Sequence, residues 1–331
     1  MTHHQKSSSL LTRRTWLSGV GITLAAGAFP NNVFGQPNTL RFIVGAAAGG
    51  AISVYTQVIA EHMGRTLGRT IVIEAKPGAG GTIATQFVKD QPADGATIWV
   101  GTMSMTEINP LVFSGLRWAV DDFTPIMKGI DAPLVFVVHP SVPARTLQEF
   151  VAWVKKNPGK LSYASYTPGT PSHFLGEQMN DKFGLDMGHL PYRGSAPQTN
   201  DLVAGHAQFG FGQIPNCKPH IDNGALRAIA TTGDKRNFML PDVPTFAELG
   251  YPDFTASVWF GLFVRKETPM DVLEAHVSAA RSAHADPKVQ ELLRAQGLEP
   301  SGMDTATFSK EIKAGAARWE RIVKATGFKV N

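Results

Sequence analysis

Six small residues, Gly45-Ala46-Ala47-Ala48-Gly49-Gly50, stand between an apolar stretch at 40–44 and a helical pattern carried by Tyr55, Val58, Ile59 and Met63. Small side chains let a backbone come close to a ligand, and the N–H groups at a helix start attract anions. The chemistry on offer is anion capture by backbone dipoles, although a tight strand-to-helix turn needs the same residues. A dinucleotide fingerprint needs glycine at position 47, and a phosphate loop needs a following Gly-Lys-Ser/Thr; neither is present. Lys76-Pro77-Gly78-Ala79-Gly80-Gly81-Thr82 and Thr167-Pro168-Gly169-Thr170-Pro171-Ser172-His173 repeat the design of a small loop before a helix. Three such helix starts facing one cleft make a cage for carboxylates without a single arginine.

Other chemistries find less support. His173 and Glu177 stand at i, i+4 on one helix face, but no His-Glu-x-x-His or clustered partner completes a metal site. The expected role of His173 is a bond to the neighbouring backbone. Gly-x-Ser-x-Gly is absent, so no nucleophile elbow is predicted. Cys217 is followed by Lys218 and His220, which could lower its pKa, but a small structural cysteine is the ordinary case. Asp121-Asp122 is expected as a turn or cap. The reading is a protein without catalytic residues, metal or cofactor.

The elements that position these loops alternate between strand-like and helix-like patterns, which predicts an α/β fold. Strands are expected at 40–44, 70–73, 97–100, 134–138, 161–164, 207–211 and 226–231, and at 257–264 a longer one crossing between domains. A helix is predicted over 147–154, ended by Asn157-Pro158-Gly159. Thr170-Pro171, Ser195-Ala196-Pro197, Thr268-Pro269 and Asp286-Pro287 open further helices, proline costing nothing at the first helical position. Phe308, Ile312, Trp319 and Ile322-Val323 place an apolar stripe on a last helix over 305–326.

The chain has 331 residues, enough for two domains, with 43% apolar and 18% charged residues, which excludes a disordered chain. One cysteine excludes an internal disulfide framework. Residues 1–14 hold Lys6, Arg13 and Arg14 and no acid, and the fourteen residues at 16–29 form an apolar run rich in Leu, Ala, Gly and Val. That run is shorter than the roughly 20 residues of a membrane span. It reads as an export signal over 1–36, twin-arginine or ordinary secretory, cleaved between about Ala28 and Gln36. Without those three bases, 28 basic residues face 27 acidic ones. The net charge of +4 thus belongs mostly to the leader, and no nucleic-acid partner is expected.

An ordered set of segments resembles the substrate-binding proteins of tripartite tricarboxylate transporters, the Bug family. It includes Phe42-Ile43-Val44 before Gly49-Gly50, Glu74-Ala75-Lys76-Pro77-Gly78-Ala79-Gly80-Gly81, Ile108-Asn109-Pro110 and Asp122-Phe123-Thr124-Pro125-Ile126. Pro171-Ser172-His173, Pro191-Tyr192-Arg193-Gly194-Ser195-Ala196-Pro197, Leu240-Pro241-Asp242-Val243-Pro244-Thr245 and Trp259-Phe260-Gly261-Leu262 continue it. The resemblance implies a two-lobed α/β periplasmic-binding-protein fold of type II character, each lobe a mixed sheet flanked by helices. Lobe 1 is expected at 37–138 plus 257–331 and lobe 2 at 139–256, with the ligand between them.

The resemblance also implies a non-catalytic, monomeric receptor that closes on a small carboxylate and hands it to membrane permease subunits. Delivery to a sensor kinase is the alternative, and a periplasmic hydrolase the different-class one. Implied ligand-binding positions are Ala47, Ala48, Gly49, Gly50 and Ser53; Thr102 and Ser104; Thr167, Gly169, Thr170 and Ser172; and Phe211 and Gly212. Two departures stand out. Ser53 and Gly212 replace acids common in the family, which removes partners for a ligand ammonium and points to a di-, tri- or aromatic carboxylate without an amino group. Phe211 is a candidate for stacking on an aromatic ligand, with core packing the favoured role.

Overall fold

The computed structural model describes residues 38–46 and 51–329. The leader expected at 1–36 and the loop residues Ala47, Ala48, Gly49 and Gly50 lie outside the described residues. The chain runs through β1 (Thr39–Val44), α1 (Ala51–Leu67), β2 (Thr70–Ala75), α2 (Thr82–Lys89), β3 (Thr97–Thr102), α3 (Asn109–Val112) and β4 (Phe123–Val138). It continues with α4 (Leu147–Lys155), β5 (Leu161–Ser165), α5 (Pro171–Phe183), β6 (Met187–Pro191), α6 (Ser195–Ala204), β7 (Phe209–Gln213), α7 (Ile214–Asp222) and β8 (Arg227–Thr231). The last elements are β9 (Ser257–Arg265), α8 (Met270–Ala285), α9 (Pro287–Ala295), β10 (Glu299–Met303) and α10 (Thr305–Thr326). The fold is mixed α/β, as the alternation predicts.

Local chemistry explains the helix ends. Asp304 caps α10, its Oδ1 accepting from the N–H groups of Ala306 and Thr307 at 2.9 and 3.0 Å. Phe308, Ile312, Trp319 and Val323 then fall on one buried face, and Gly327 closes the helix in the left-handed region at φ 63°. Asp286 caps α9 on Lys288 N–H at 2.8 Å, with Pro287 behind it.

The strands follow the order β2-β1-β3-β9-β4-β7-β5-β6, with β8 and β10 also on β4. β1 pairs parallel with both β2 and β3, and β5 pairs parallel with both β6 and β7. The long strand β4 joins these two parallel groups. Its residues from Phe123 to Pro133 pair with β9, and those from Leu134 to Val138 pair with β7 and β8. Pro133, which has no N–H to donate, stands where the strand changes partners.

Sequence reading put the crossing strand at 257–264. The structure keeps β9 in the first group, between β3 and β4, and gives the crossing to β4. Pro125 and Pro133 interrupt the apolar pattern of β4, so only its end at 134–138 is visible as a strand in the sequence. Thr232, fully buried, fastens the crossing. Its hydroxyl accepts from Leu134 N–H at 2.9 Å and donates to Ala256 O. Its backbone bonds the same two residues, from its N–H to Leu134 O and from Ala256 N–H to its carbonyl, each at 2.9 Å.

Candidate functional site

In open α/β sheets ligands bind beyond the carboxyl ends of parallel strands, where helices begin. Here there are two such ends. In the first, the chain leaves β1, β2 and β3 toward α1, α2 and a π-helical turn at Ser104–Ile108. Gly78, Ala79, Gly80 and Gly81 all have positive φ, from 46° to 127°, so the backbone before α2 curls tightly. Met105 packs where side chains on Gly45 and Gly81 would go: a Cβ would meet its methyl at 2.3 and 2.1 Å respectively. Asn109 donates to Gly80 O at 2.9 Å. The end of β1 at Gly45, the turn before α2 and the π-helical turn are thereby clamped to one another. Thr102 Oγ1 accepts from Met105 N–H at 3.4 Å, and Ser104 and Ser53 are half-buried at the starts of the π turn and of α1.

At the second end, β5, β6 and β7 lead into α5, α6 and α7. Gly194 N–H donates to Tyr166 O at 2.7 Å and Tyr192 N–H to Ser165 O at 2.9 Å. Ser172 Oγ donates to Phe211 O at 2.8 Å and accepts from Tyr166 N–H at 3.3 Å. The loop before α5 turns through Gly169 at φ 73°, with Thr170 Oγ1 on Thr167 O at 2.6 Å. Its N–H groups at the helix start are donors for which the helix itself supplies no acceptor. The C-terminal tail meets both ends. Phe328 packs on Gly169 and edge-on to His173, and Lys329 Nζ donates to Leu111 O at 2.6 Å.

Of the thirteen expected positions, the nine among the described residues sort by place. Ser53, Thr102 and Ser104 stand at the first strand ends; Thr167, Gly169, Thr170, Ser172, Phe211 and Gly212 at the second. Gly45 after β1 and Gly81 before α2 come together around Met105, but the loop before α5 belongs to the other group. Two side chains are spent on structure. The Ser172 hydroxyl is buried in its two bonds, and the Phe211 ring, 0% exposed, packs 4.9 Å from Phe136 and 5.9 Å from Phe246. Core packing is the role the sequence favoured for it. Sequence reasoning missed Gln198, buried on α6, whose Nε2 donates to Ala164 O and Phe211 O at 3.0 Å each and so ties β5 to β7. A polar residue one turn into a helix carries no pattern that reveals this.

At the second end Arg193 stands exposed in the loop between β6 and α6, while the bases of the first end are paired. Lys76 lies 3.4 Å from Glu74, which also holds Arg41 at 2.7 Å. A groove of about 760 Å³ lies between α5, the Pro252–Phe254 turn and α10, but the later turns of α5 line it, with Asp181, Asp253, Arg318 and Arg321 in balance. Nucleophile chemistry gains nothing. Burial pushes the Cys217 thiol up to about 12, the reverse of activation. Ser165 Oγ lies 2.7 Å from His189 Nε2, but Ser165 is 0% exposed and out of reach of a substrate. Among the described residues no group of His, Cys, Asp and Glu could hold a metal, and no helix is long and apolar enough to cross a membrane. Asp122 caps its turn on Ala119 N–H at 2.8 Å, as expected.

Comparison with known proteins agrees with this fold. BugT of Bordetella pertussis is 31% identical over 97% of this chain and 99% of its own length. An R. palustris protein solved with adipate is 27% identical with a TM-score of 0.78, covering 88% of this chain and 98% of that one. MatC from Rhodopseudomonas palustris with bound malate is 28% identical with a TM-score of 0.74, covering 86% and 98%. Residues 55–328 match the tripartite tricarboxylate transporter family receptor, and the chain belongs to that family.

Proposed function

We propose that this protein is a periplasmic solute-binding protein that captures a small di- or tricarboxylate without an amino group and delivers it to membrane permease subunits. The observation that carries the reading is the pair of strand-end loop clusters, each built from small residues and helix starts. Such sites bind anions with oriented N–H dipoles. Two relatives were solved with adipate and malate, both dicarboxylates without an ammonium group. The leader expected at 1–36 would take the chain to the periplasm, and two lobes joined through β4 and the segment before β9 would close over the ligand.

Two features support the ligand class. A Cβ at Gly212 would lie 2.5 Å from Cys217 Sγ, so the acid common there in the family has no room without moving the cysteine. The buried Phe211 ring leaves aromatic stacking without its candidate, which favours aliphatic acids. The mature chain should be screened by thermal shift against adipate, malate, citrate, benzoate and aspartate. A ligand at 100 times its dissociation constant stabilises the fold by about 2.7 kcal/mol. Adipate, malate or citrate should raise the melting temperature. No shift with any of the five, or the largest shift with aspartate, overturns this reading.

A further inference from the structure

We propose that His173 is a positioning residue: its neutral ring holds the 167–170 loop in its binding shape through the Gly169 amide, and protonation releases that loop. This deepens the proposed capture function and rests on it for the ligand, but not for the loop. Gly169 N–H donates to His173 Nδ1 at 3.2 Å, which requires a lone pair on Nδ1 and leaves the proton on Nε2. Nε2 faces Glu177 Oε1 at 3.8 Å, and that oxygen already accepts from Tyr163 OH at 2.5 Å. His189 of β6 stacks on the His173 ring at 4.0 Å, with its own Nε2 on Ser165 Oγ. Phe174 and Phe328 pack on the ring at 4.9 Å each.

The titratable groups around the ring are therefore Glu177 on its own helix, Tyr163 on β5 and His189 on β6. Glu177 is the one acid among them, and its near oxygen is engaged by the tyrosine. Burial pulls His173 down to about 4 and, with the neighbouring imidazole, His189 to about 4 as well. Both rings are neutral at neutral pH. A proton added to Nδ1 replaces an acceptor by a donor facing another donor, and the bond to Gly169 cannot survive. Gly169 has no easy alternative: at φ 73° its turn is already pressed against Phe328, which a Cβ would meet at 3.2 Å.

The test uses the unliganded mature chain with His173→Phe, which keeps a ring without the acceptor, and His173→Asn, which keeps an acceptor near Nδ1 but cannot titrate. At about pH 7, amide exchange across 166–172 should be about tenfold faster in His173→Phe, with His173→Asn close to the parent. At about pH 4 the parent should lose protection there relative to His173→Asn. Calorimetry with adipate should give about tenfold weaker binding for His173→Phe and little change for His173→Asn. Should His173→Phe fail to fold, His173→Gln, which carries its amide one carbon further out, takes its place. Unchanged protection in the variant lacking the acceptor, or identical acid behaviour of parent and His173→Asn, overturns the proposal. If the parent binds no carboxylate, the capture reading fails, while the exchange result still decides the role of His173.

Discussion

Glu107 shows how far a single residue can depart from its type. It sits on the π-helical turn behind Ser104, 2% exposed, its Oε1 accepting from Trp259 Nε1 at 3.0 Å. A Cβ on Gly315 of α10 would lie 2.1 Å from its other oxygen, so the helix passes directly over the carboxyl. Burial raises its pKa to about 8, against the weaker pull of the Trp259 bond, Arg318 and Lys128. Lys128 is engaged by Asp131 and Glu311 at 2.7 Å each. The folded state thus keeps a proton that the unfolded chain gives up near its ordinary 4.5. The stability it contributes is whole below that value and is lost as pH rises through about 8. Glu107→Gln keeps the shape and cannot ionise. Its advantage over the parent in urea unfolding should widen by on the order of 3 kcal/mol between about pH 5 and about pH 9. A constant difference across that range counts against a buried neutral acid. Nothing in the sequence singles Glu107 out, because its burial comes from α10, about two hundred residues later.

At the scale of elements, the legible parts were those with local causes. Thr170-Pro171 marks the start of α5, and the apolar stripe marks α10 over 305–326. Elements shaped by their partners were not legible. β10 reads Glu-Pro-Ser-Gly-Met, with no alternation, and is a strand because β4 offers it an edge. β6 is held likewise by β5. Packing also reverses an element's own preference at Gly176, inside α5. Helix propensity alone predicts that alanine there stabilises by about 1 kcal/mol. A Cβ would however lie 2.2 Å from Tyr163 Cε2 and 2.3 Å from Cδ2, and that ring is buried and bonded to Glu177. Gly176→Ala should therefore destabilise by about 1–3 kcal/mol in denaturant unfolding, lifting α5 off β5. A gain in stability would show that the helix rides looser on its sheet.

The whole molecule turns on the crossing beside Thr232. Two segments join the parallel groups, β4 at Pro133-Leu134 and the chain at Ala256 before β9, and one threonine bonds both. Thr232→Val keeps the volume and removes the hydroxyl, leaving the buried Leu134 N–H and one bond of Ala256 O unmade. The loss should be about 2–4 kcal/mol of unfolding free energy. It should also weaken carboxylate binding more than a core truncation of equal cost, such as Ile312→Ala in α10. Equal effects of the two on affinity would argue against a role in closure.

The amino-acid order alone determined the alternating α/β layout, the helix starts and the small-residue loops, because each depends on residues within a turn or two of one another. It also determined that the basic excess lies in the first 36 residues, leaving 28 basic residues against 27 acidic ones. Which loops meet was decided by tertiary structure. Gly45 after β1 and Gly81 before α2 share Met105, while the start of α5 joins β7 through Ser172. The burial of Glu107, the neutral stack of His173 on His189 and the crossing at Pro133 were decided there too. Each joins residues far apart in the chain, and a low-dielectric interior or a shared strand edge exists only once those residues have come together.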